Sequence, residues 1–307
     1  MQDGGCRIDV DLVRRLVGAQ FPRWARLAVE PVDSAGTSNA MYRLGGDMVV
    51  RLPRAAGSAD DVAKEHRWLP RLAPRLPVAV PVPLGKGVPG EGYPWHWSVY
   101  RWLPGRTESA PGLGPDPGLF AKDLAEFVGA LRGIDTADGP PSYRSEPLTA
   151  RNAATRGDAA ALCGVIDTGM AVAAWEEALR APGPTGPAVW IHADLQPGNV
   201  LVEDGRLSAV IDFGCLGLGD TAVDLIAAWY LLPAEARAVF RTAVAADDAA
   251  WARGRGWALS VALAELRYYR TTNPVMATIA RHVIEELLTD HAHRHGGTGA
   301  QPPGFRP

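Results

Sequence analysis

The spacing of apolar residues changes along this chain, and the change divides it in two. Over residues 8–20, IDVDLVRRLVGAQ, apolar side chains at Ile8, Leu12, Leu16 and Val17 recur every three or four positions and predict a short amphipathic helix. From Val29 to Leu52 they come in short runs broken by Gly, Ser and Asn, which predicts two or three antiparallel strands with a turn at Gly45-Gly46. Helical spacing returns at Ser58, where Asp61 makes a near-match to a capping box, and Pro70 or Pro74 is expected to end that helix. The stretch VPVPLGKGVPGEGYPWHWSVYRWL reads as two more strands around a Gly/Pro loop, and the Pro- and Gly-rich residues 104–118 as a linker. Beyond the linker the spacing is helical over 119–133, 157–180, 220–243, 247–270 and 275–293. Strands first and helices after predict an α+β chain in two lobes. Residues 1–103 would form a small antiparallel-sheet lobe and 104–307 a mainly helical one.

One stretch of the second lobe breaks the helical pattern: IHADLQPGNVLVEDGRLSAVIDFG, residues 191–214. Its apolar runs Val200 to Val202 and Leu207 to Ile211 flank the turn Glu203-Asp204-Gly205, a hairpin signal. A hairpin brings its ends together, so Asn199 should lie near Asp212, with Asp194 on the loop leading in. Two oxygen-bearing side chains at such a mouth suit Mg²⁺, which prefers oxygen ligands and shares its shell with water and phosphate. A further carboxylate nearby can accept a proton from an attacking hydroxyl. That combination is what phosphoryl transfer needs, since positioning and charge neutralisation dominate it. Asp194, an Asn five residues later and an Asp-Phe-Gly thirteen after that reproduce the kinase layout.

The motif HADLQPGNVLV…IDFG resembles the signature of the aminoglycoside phosphotransferase family, a branch of the protein-kinase-like fold; the Ala between His192 and Asp194 and the QPGN tetrad are typical of that branch. The resemblance extends to GDTAVDLIAAW, residues 219–229, and covers roughly residues 25–300. It implies that Asp194 is the catalytic base or orients the acceptor hydroxyl. It further implies that Asn199 and Asp212 bind Mg²⁺, that His192 supports the loop, and that Asp224 ties the following helix to it.

A kinase-like first lobe must also supply a phosphate-covering loop and a strand cation. DSAGTSNAMYRL holds Gly36, Thr37 and Ser38 between two strand patterns and resembles the family's nucleotide loop. In DMVVRLP, Arg51 stands where protein kinases have Lys, and Lys64, Lys86 and Lys122 all fall outside the strand. Alternation puts Arg51 on the face of Val49, and a charge there needs a partner. Glu65, three residues after Val62 and four before Leu69, lies on the apolar face of its helix and can supply it. Arg51 could then hold phosphate oxygens and a carboxylate together, or form a purely structural pair with Glu65. WSVYRWLPG resembles the linker between lobes, where a base would stack and bond to backbone at Trp102 and Leu103. At least two of Trp95, Trp97 and Trp102 are expected to be core or interface packing.

Composition narrows the picture. The chain has 307 residues and a net charge of −3, so nothing suggests nucleic acid. The charge is uneven, +4 over residues 1–103 and −7 over 104–307, and an acidic second half could attract a cationic acceptor or merely solvate helix faces. No apolar run is long enough to span a membrane. The N-terminus lacks a signal-peptide pattern, and three scattered cysteines fit a reducing cytoplasm. His291, His293 and His295 alternate in a polar segment and read as incidental rather than as a metal site. The expected activity is transfer of the γ-phosphoryl of ATP or GTP, with Mg²⁺, to a hydroxyl of a small molecule. An aminoglycoside or similar antibiotic is the leading acceptor; an amino alcohol, sugar or amino acid is the alternative, and a non-catalytic nucleotide-binding module is a third reading. Glu265 is a candidate for lining the acceptor pocket. Oligomeric state has no signal in the sequence.

Overall fold

Five short strands with alternating side chains build the first lobe. The structure, a computed structural model, describes residues 7–32, 38–107 and 116–295. Strands β1 (Val29–Pro31), β2 (Asn39–Leu44), β3 (Met48–Pro53), β4 (Pro83–Gly87) and β5 (Trp97–Arg101) form an antiparallel sheet in the order β1-β2-β3-β5-β4. β2 pairs with β3 from Asn39↔Pro53 to Leu44↔Met48, and Gly45 takes φ +60° in the turn between them, a conformation glycine enters without a Cβ clash. One face of the sheet (Ala40, Tyr42, Leu44, Val50, Leu52, Val99) packs on helix α1 (Val10–Gln20) through Leu12, Val13, Leu16 and Val17. Asp9 caps α1 by accepting from the Leu12 N–H at 2.9 Å. Trp97 is buried in this cluster and Trp95 packs against it, so these two are core residues.

The other face carries Val49 and Tyr100, which join Trp68, Leu69 and Leu72 of helix α2 (Ala56–Leu72). That cluster continues without a break into the second lobe, where the rings of Trp68 and Trp190 stand 4.8 Å apart. Helix α2 departs from expectation at its start, and of the two expected stops, Pro70 and Pro74, it passes the first and ends just short of the second. It starts at Ala56, before Ser58 and without a side-chain cap, and it runs through Pro70 to Leu72. An interior proline costs about 3 kcal/mol. Burial of Leu69 and Leu72 returns roughly 1.5–3 kcal/mol each, which is enough to carry the last turn past it.

The second lobe comprises helices α3 (Pro117–Arg132), α4 (Asn152–Ala161), α5 (Thr168–Arg180), α6 (Ala227–Tyr230), α7 (Ala234–Ala243), α8 (Asp248–Tyr269) and α9 (Pro274–His295). Two strand pairs sit among them, β6 (Val189–Ile191) with β9 (Gly217–Gly219), and the hairpin β7 (Val200–Glu203)–β8 (Arg206–Val210). Two stretches with continuous helical spacing are broken. Residues 157–180 split into α4 and α5 around Gly164, which has φ +78°. Residues 220–243 split before Pro233, which has no N–H to continue a helix, and open with a 3₁₀ turn at Val223–Ile226.

Of the expected linker, residues 108–115 lie outside the described residues. The part before them is tied to the hairpin: Arg106 and Val202 exchange backbone hydrogen bonds of 3.0 Å in both directions. Gly105, at φ +117°, allows this approach, because a Cβ there would stand 2.8 Å from Ser208 Oγ. Two of the three C-terminal histidines, His291 and His295, have a structural part. His291 Nδ1 and His295 Nε2 meet Glu177 Oε2 at 2.8 and 3.1 Å, fastening α9 to α5. Arg294 and Arg255 lie within 3.5 Å of the same carboxylate, so its charge is already answered and the cluster is an ion-pair clamp.

Candidate active site

The β7–β8 hairpin turns on Asp204 and Gly205 at φ 51° and 75°, the positive pair of a two-residue hairpin turn. Val200 faces Val210 across the ladder, and just below it the Ile211 N–H donates to the Asn199 carbonyl at 2.8 Å. Asn199 and Asp212 therefore flank one hairpin mouth, as the sequence pattern predicts. Asp212 takes φ 61° and aims its carboxylate at the first lobe, where Arg51 Nη2 donates to Oδ1 at 2.5 Å.

Asp194 reaches the same mouth from β6. The two residues before it are fixed from below by Asp224, whose carboxylate is fully buried and accepts the N–H groups of His192 and Ala193 at 3.1 and 2.7 Å. Burial raises the Asp224 pKa above the usual carboxylate range, against the lowering effect of those bonds and of His192. Ala193 adopts φ 68°, a left-handed conformation that an alanine holds only where neighbours fix it. His192 Nδ1 accepts the Asp194 N–H at 3.2 Å, which leaves Nε2 as the protonated nitrogen, donating to the Ile211 carbonyl at 3.0 Å. His192 thereby ties the loop to the hairpin.

Three side chains hold the Asp194 carboxylate. Arg144 Nη1 and Gln196 Nε2 donate to Oδ1 at 3.0 and 2.9 Å, and Asn199 Nδ2 donates to Oδ2 at 2.9 Å. Asn199 Nδ2 also donates to the Asp194 carbonyl at 2.8 Å, so its amide oxygen remains available. Asp194 is still about a quarter exposed, at 23%. Arg144 also donates to the Ala193 carbonyl. Burial opposes the Arg144 charge, but the neighbouring Asp194 carboxylate outweighs it and holds the guanidinium above its ordinary pKa.

Across the cleft, Arg51 Nη1 donates to Glu65 Oε1 at 2.7 Å, and Tyr100 Oη donates to Glu65 Oε2. With the Asn39 amide turned to present its oxygen, Asn39 accepts from Arg51 Nε and Nη2 at 3.0 and 2.9 Å. Glu65 is 1% exposed, in keeping with its inward face on α2. Burial would raise the Asp212 pKa, but Arg51 outweighs it and keeps the carboxyl below its usual range. One guanidinium thus bridges a carboxylate of each lobe. Lys64, adjacent to Glu65, donates to the Gly214 carbonyl and pairs with Asp61 at 3.1 Å. The sequence reading passed over Lys64 because it lies outside the strand; its place one residue before the inward Glu65 was the available signal.

Of the predicted nucleotide-loop residues, Gly36 and Thr37 lie outside the described residues. Ser38 is exposed at the edge of β2, with its carbonyl accepting from the Arg54 N–H at 2.9 Å. Trp102 is half-buried under the Arg43 guanidinium, which stands 3.9 Å from the ring centroid. The Trp102 N–H donates to the Asp47 carbonyl at 2.8 Å, while the Leu103 N–H has no partner among the described residues. Burial pushes the Cys215 thiol up to about 12, so it is inert at neutral pH.

A cavity of about 300 Å³, at the small end of ligand pockets, is bordered by Tyr143, Arg144, Glu146, Arg151, Trp257 and Glu265, and Arg144 links its wall to Asp194. Glu265 borders this cavity and is also bonded within: Oε1 accepts from Gln196 Nε2 at 2.9 Å and Oε2 from Tyr230 Oη at 2.7 Å. Two arginines and two glutamates balance the lining, so the acidic excess of the second half is not gathered there. Arg144, Gln196 and Tyr230 were not singled out from sequence. Arg144 sits in a stretch without periodicity, and Gln196 was visible only as part of the QPGN tetrad.

The family model described as a phosphotransferase enzyme family matches residues 30–257. Among solved structures, the GDP complex of wild-type aminoglycoside 2'-phosphotransferase-IIIa is 19% identical, with a TM-score of 0.73 over 92% of this chain and 99% of that one. Macrolide 2'-phosphotransferase MphH from Brachybacterium faecium is 25% identical, with a TM-score of 0.59 over 97% and 99%. The streptomycin-ATP-APH(2")-IIa ternary complex is 15% identical, with a TM-score of 0.59 over 92% and 97%. No curated protein sequence matches. These likenesses establish the bilobal, protein-kinase-like α+β fold.

Proposed function

The chain belongs to the phosphotransferase enzyme family, and from that premise we propose that it transfers the γ-phosphoryl group of ATP or GTP to a hydroxyl of a small molecule. The observation that carries this reading is the hairpin mouth, where a three-times-anchored Asp194 stands beside Asn199 and Asp212. Residues 1–103 would serve as the nucleotide-binding lobe and 104–307 as the catalytic and acceptor-binding lobe.

In this reading Asp194 accepts a hydrogen bond from the acceptor hydroxyl, aligns it for in-line attack and takes up its proton. Arg144, Gln196 and Asn199 fix the carboxylate, so little reorganisation is needed when the acceptor arrives. The donor set at the mouth fits Mg²⁺: the amide oxygen of Asn199 and the ionised Asp212 are hard oxygen ligands, with no sulfur or imidazole among them. When bound there, Mg²⁺ would neutralise charge on the nucleotide phosphates. Arg51, positioned by Glu65, would stabilise phosphate oxygens while keeping Asp212 ionised. Gly36, Thr37 and Ser38 would cover the phosphates. Because the Trp102 N–H is already bonded, the Leu103 N–H is the better placed to meet the base.

The acceptor is where the aminoglycoside reading and the metabolic reading part. Solved neighbours include aminoglycoside phosphotransferases, among them complexes with kanamycin, gentamicin and streptomycin, and macrolide phosphotransferases. The balanced lining of the cavity favours an acceptor that is neutral or singly charged over a polycation. Two free thiols, Cys163 and Cys215, support a cytoplasmic location, and among the described residues no helix is long and apolar enough to cross a membrane.

A panel of aminoglycosides, macrolides, sugars, amino alcohols and hydroxy amino acids, assayed with ATP or GTP and Mg²⁺, tests the reading. Phosphorylation of a neutral or singly charged compound supports it in full. Transfer confined to polycationic aminoglycosides would overturn the acceptor assignment, and nucleotide binding without transfer to any compound would leave the non-catalytic module.

A further inference from the structure

Resting on the phosphotransfer reading, we infer that Glu265 is a positioning residue for Asp194, acting through the amide of Gln196 from the wall of the acceptor cavity. Three observations meet here. Gln196 Nε2 carries two protons, and both are placed: one on Asp194 Oδ1 and one on Glu265 Oε1, each at 2.9 Å. Glu265 is anchored at its far oxygen by Tyr230 Oη at 2.7 Å, so the amide is pulled from a fixed point. Glu265 also borders the cavity that runs past Arg144. A change at the cavity wall therefore has a two-bond route to the carboxylate that handles the hydroxyl.

The arrangement is directional. Gln196 can rotate its amide, and an oxygen turned toward Asp194 would repel it. A carboxylate at Glu265 selects the orientation with Nε2 inward, since only the NH₂ group can serve two acceptors at once. Charge strengthens that hold, because hydrogen bonds to an ionised acceptor are about twice as strong as neutral ones. The groups facing Glu265 are Tyr230 of α6, Gln196 and Asp194 of the loop after β6, and Arg144, with Glu146 and Arg151 elsewhere on the cavity wall. Burial is the main cause that pushes the Glu265 carboxyl up to about 7, with the Asp194 charge adding to it and Tyr230, Gln196 and Arg144 opposing. Below that pH the carboxyl is neutral, and its hold on Gln196 weakens.

The test needs no known acceptor. Hydrolysis of MgATP or MgGTP, with water as acceptor, is measured from pH 5.5 to 8.5 for the intact protein, Glu265→Gln and Glu265→Ala. The Gln196 side-chain amide resonance, assigned by its loss in Gln196→Ala, is followed over the same range. The intact protein should lose rate as pH falls through about 7, with the Gln196 resonance moving at the same midpoint. Glu265→Gln, which keeps an acceptor oxygen but no charge, should remove both inflections and hold the rate near the intact protein's low-pH value across the whole range. Glu265→Ala should lower kcat about tenfold or more with the nucleotide KM unchanged. An unchanged pH profile in Glu265→Gln, or a Glu265→Ala rate that is normal per folded molecule, would overturn the role. Absence of hydrolysis and of transfer to any compound in the intact protein defeats the phosphotransfer reading itself, and this proposal with it.

Discussion

Asp212 and Asp194 occupy the same hairpin mouth, and each faces a partly buried arginine, yet the two pairs are built differently. Arg51 bridges two carboxylates, Glu65 of α2 and Asp212 of the second lobe, so it joins elements that meet only when the lobes pack. Arg144 meets one carboxylate, Asp194, and a backbone carbonyl within the second lobe. The first pair ties the two lobes together through Asp212; the second fixes one side chain in place. A cation shared by two anions is a structural tie whose loss leaves buried charge behind, whereas a cation on one half-open carboxylate mainly sets direction. In the proposed reading the site therefore divides into a nucleotide side that depends on packing between lobes and an acceptor side that depends on a rigid loop.

Mutations can break this division. The largest effect is expected at Asp194: Asp194→Ala should lower turnover by on the order of 10²–10⁴-fold while thermal stability is preserved, as measured by steady-state kinetics beside a melting curve. Arg51→Ala comes next. It strands Glu65, which is buried, and frees Asp212, which is partly open, so urea unfolding should show a loss of about 2–4 kcal/mol together with weaker nucleotide binding. An unchanged nucleotide affinity and turnover would remove Arg51 from the mechanism. Arg144→Met should cut turnover by roughly 10–100-fold through misdirection of Asp194, with nucleotide affinity intact. If instead nucleotide affinity falls with turnover, the two sides of the site are not separable.

The smallest effect lies far from the mouth. Burial works against the Glu177 charge, but hydrogen bonds from His295, Arg294 and His291 hold its carboxyl at about 2. A depressed folded-state pKa means the stabilisation is present above the unfolded value near 4.3 and is lost as pH falls toward 2. The carboxylate is substantially exposed, so Glu177→Gln should cost less than about 1 kcal/mol at pH 7 and nothing at pH 2. An equal cost at both values would show that packing, not charge, fastens α9 to α5.

How much of this was legible in the sequence follows the same division. The hairpin was readable because its signals are local: Asp-Gly at the turn, short apolar runs on either side, and polar residues at the two ends. Arg51 and Glu65 were readable because a charge on an apolar face demands a partner, and each had only one candidate face. Arg144, Gln196 and Tyr230 meet Asp194 and Glu265 across separations of up to 69 residues, and no local period marks a residue that joins a site by tertiary packing. The helix breaks at Gly164 and Pro233 were present as residue types but were overridden in the reading by continuous apolar spacing. Of the two prolines that could stop α2, burial of Leu69 and Leu72 carries the helix past Pro70, and it ends just before Pro74.

The most direct test sets the two sides against each other in one experiment: nucleotide dissociation constants, by titration calorimetry with Mg²⁺ present, for the intact protein, Asp194→Ala and Arg51→Ala. The account predicts that Asp194→Ala binds nucleotide like the intact protein and fails to turn over, while Arg51→Ala binds about tenfold more weakly or worse. Equal affinity in all three, or a loss of binding in Asp194→Ala to match its loss of turnover, would contradict it.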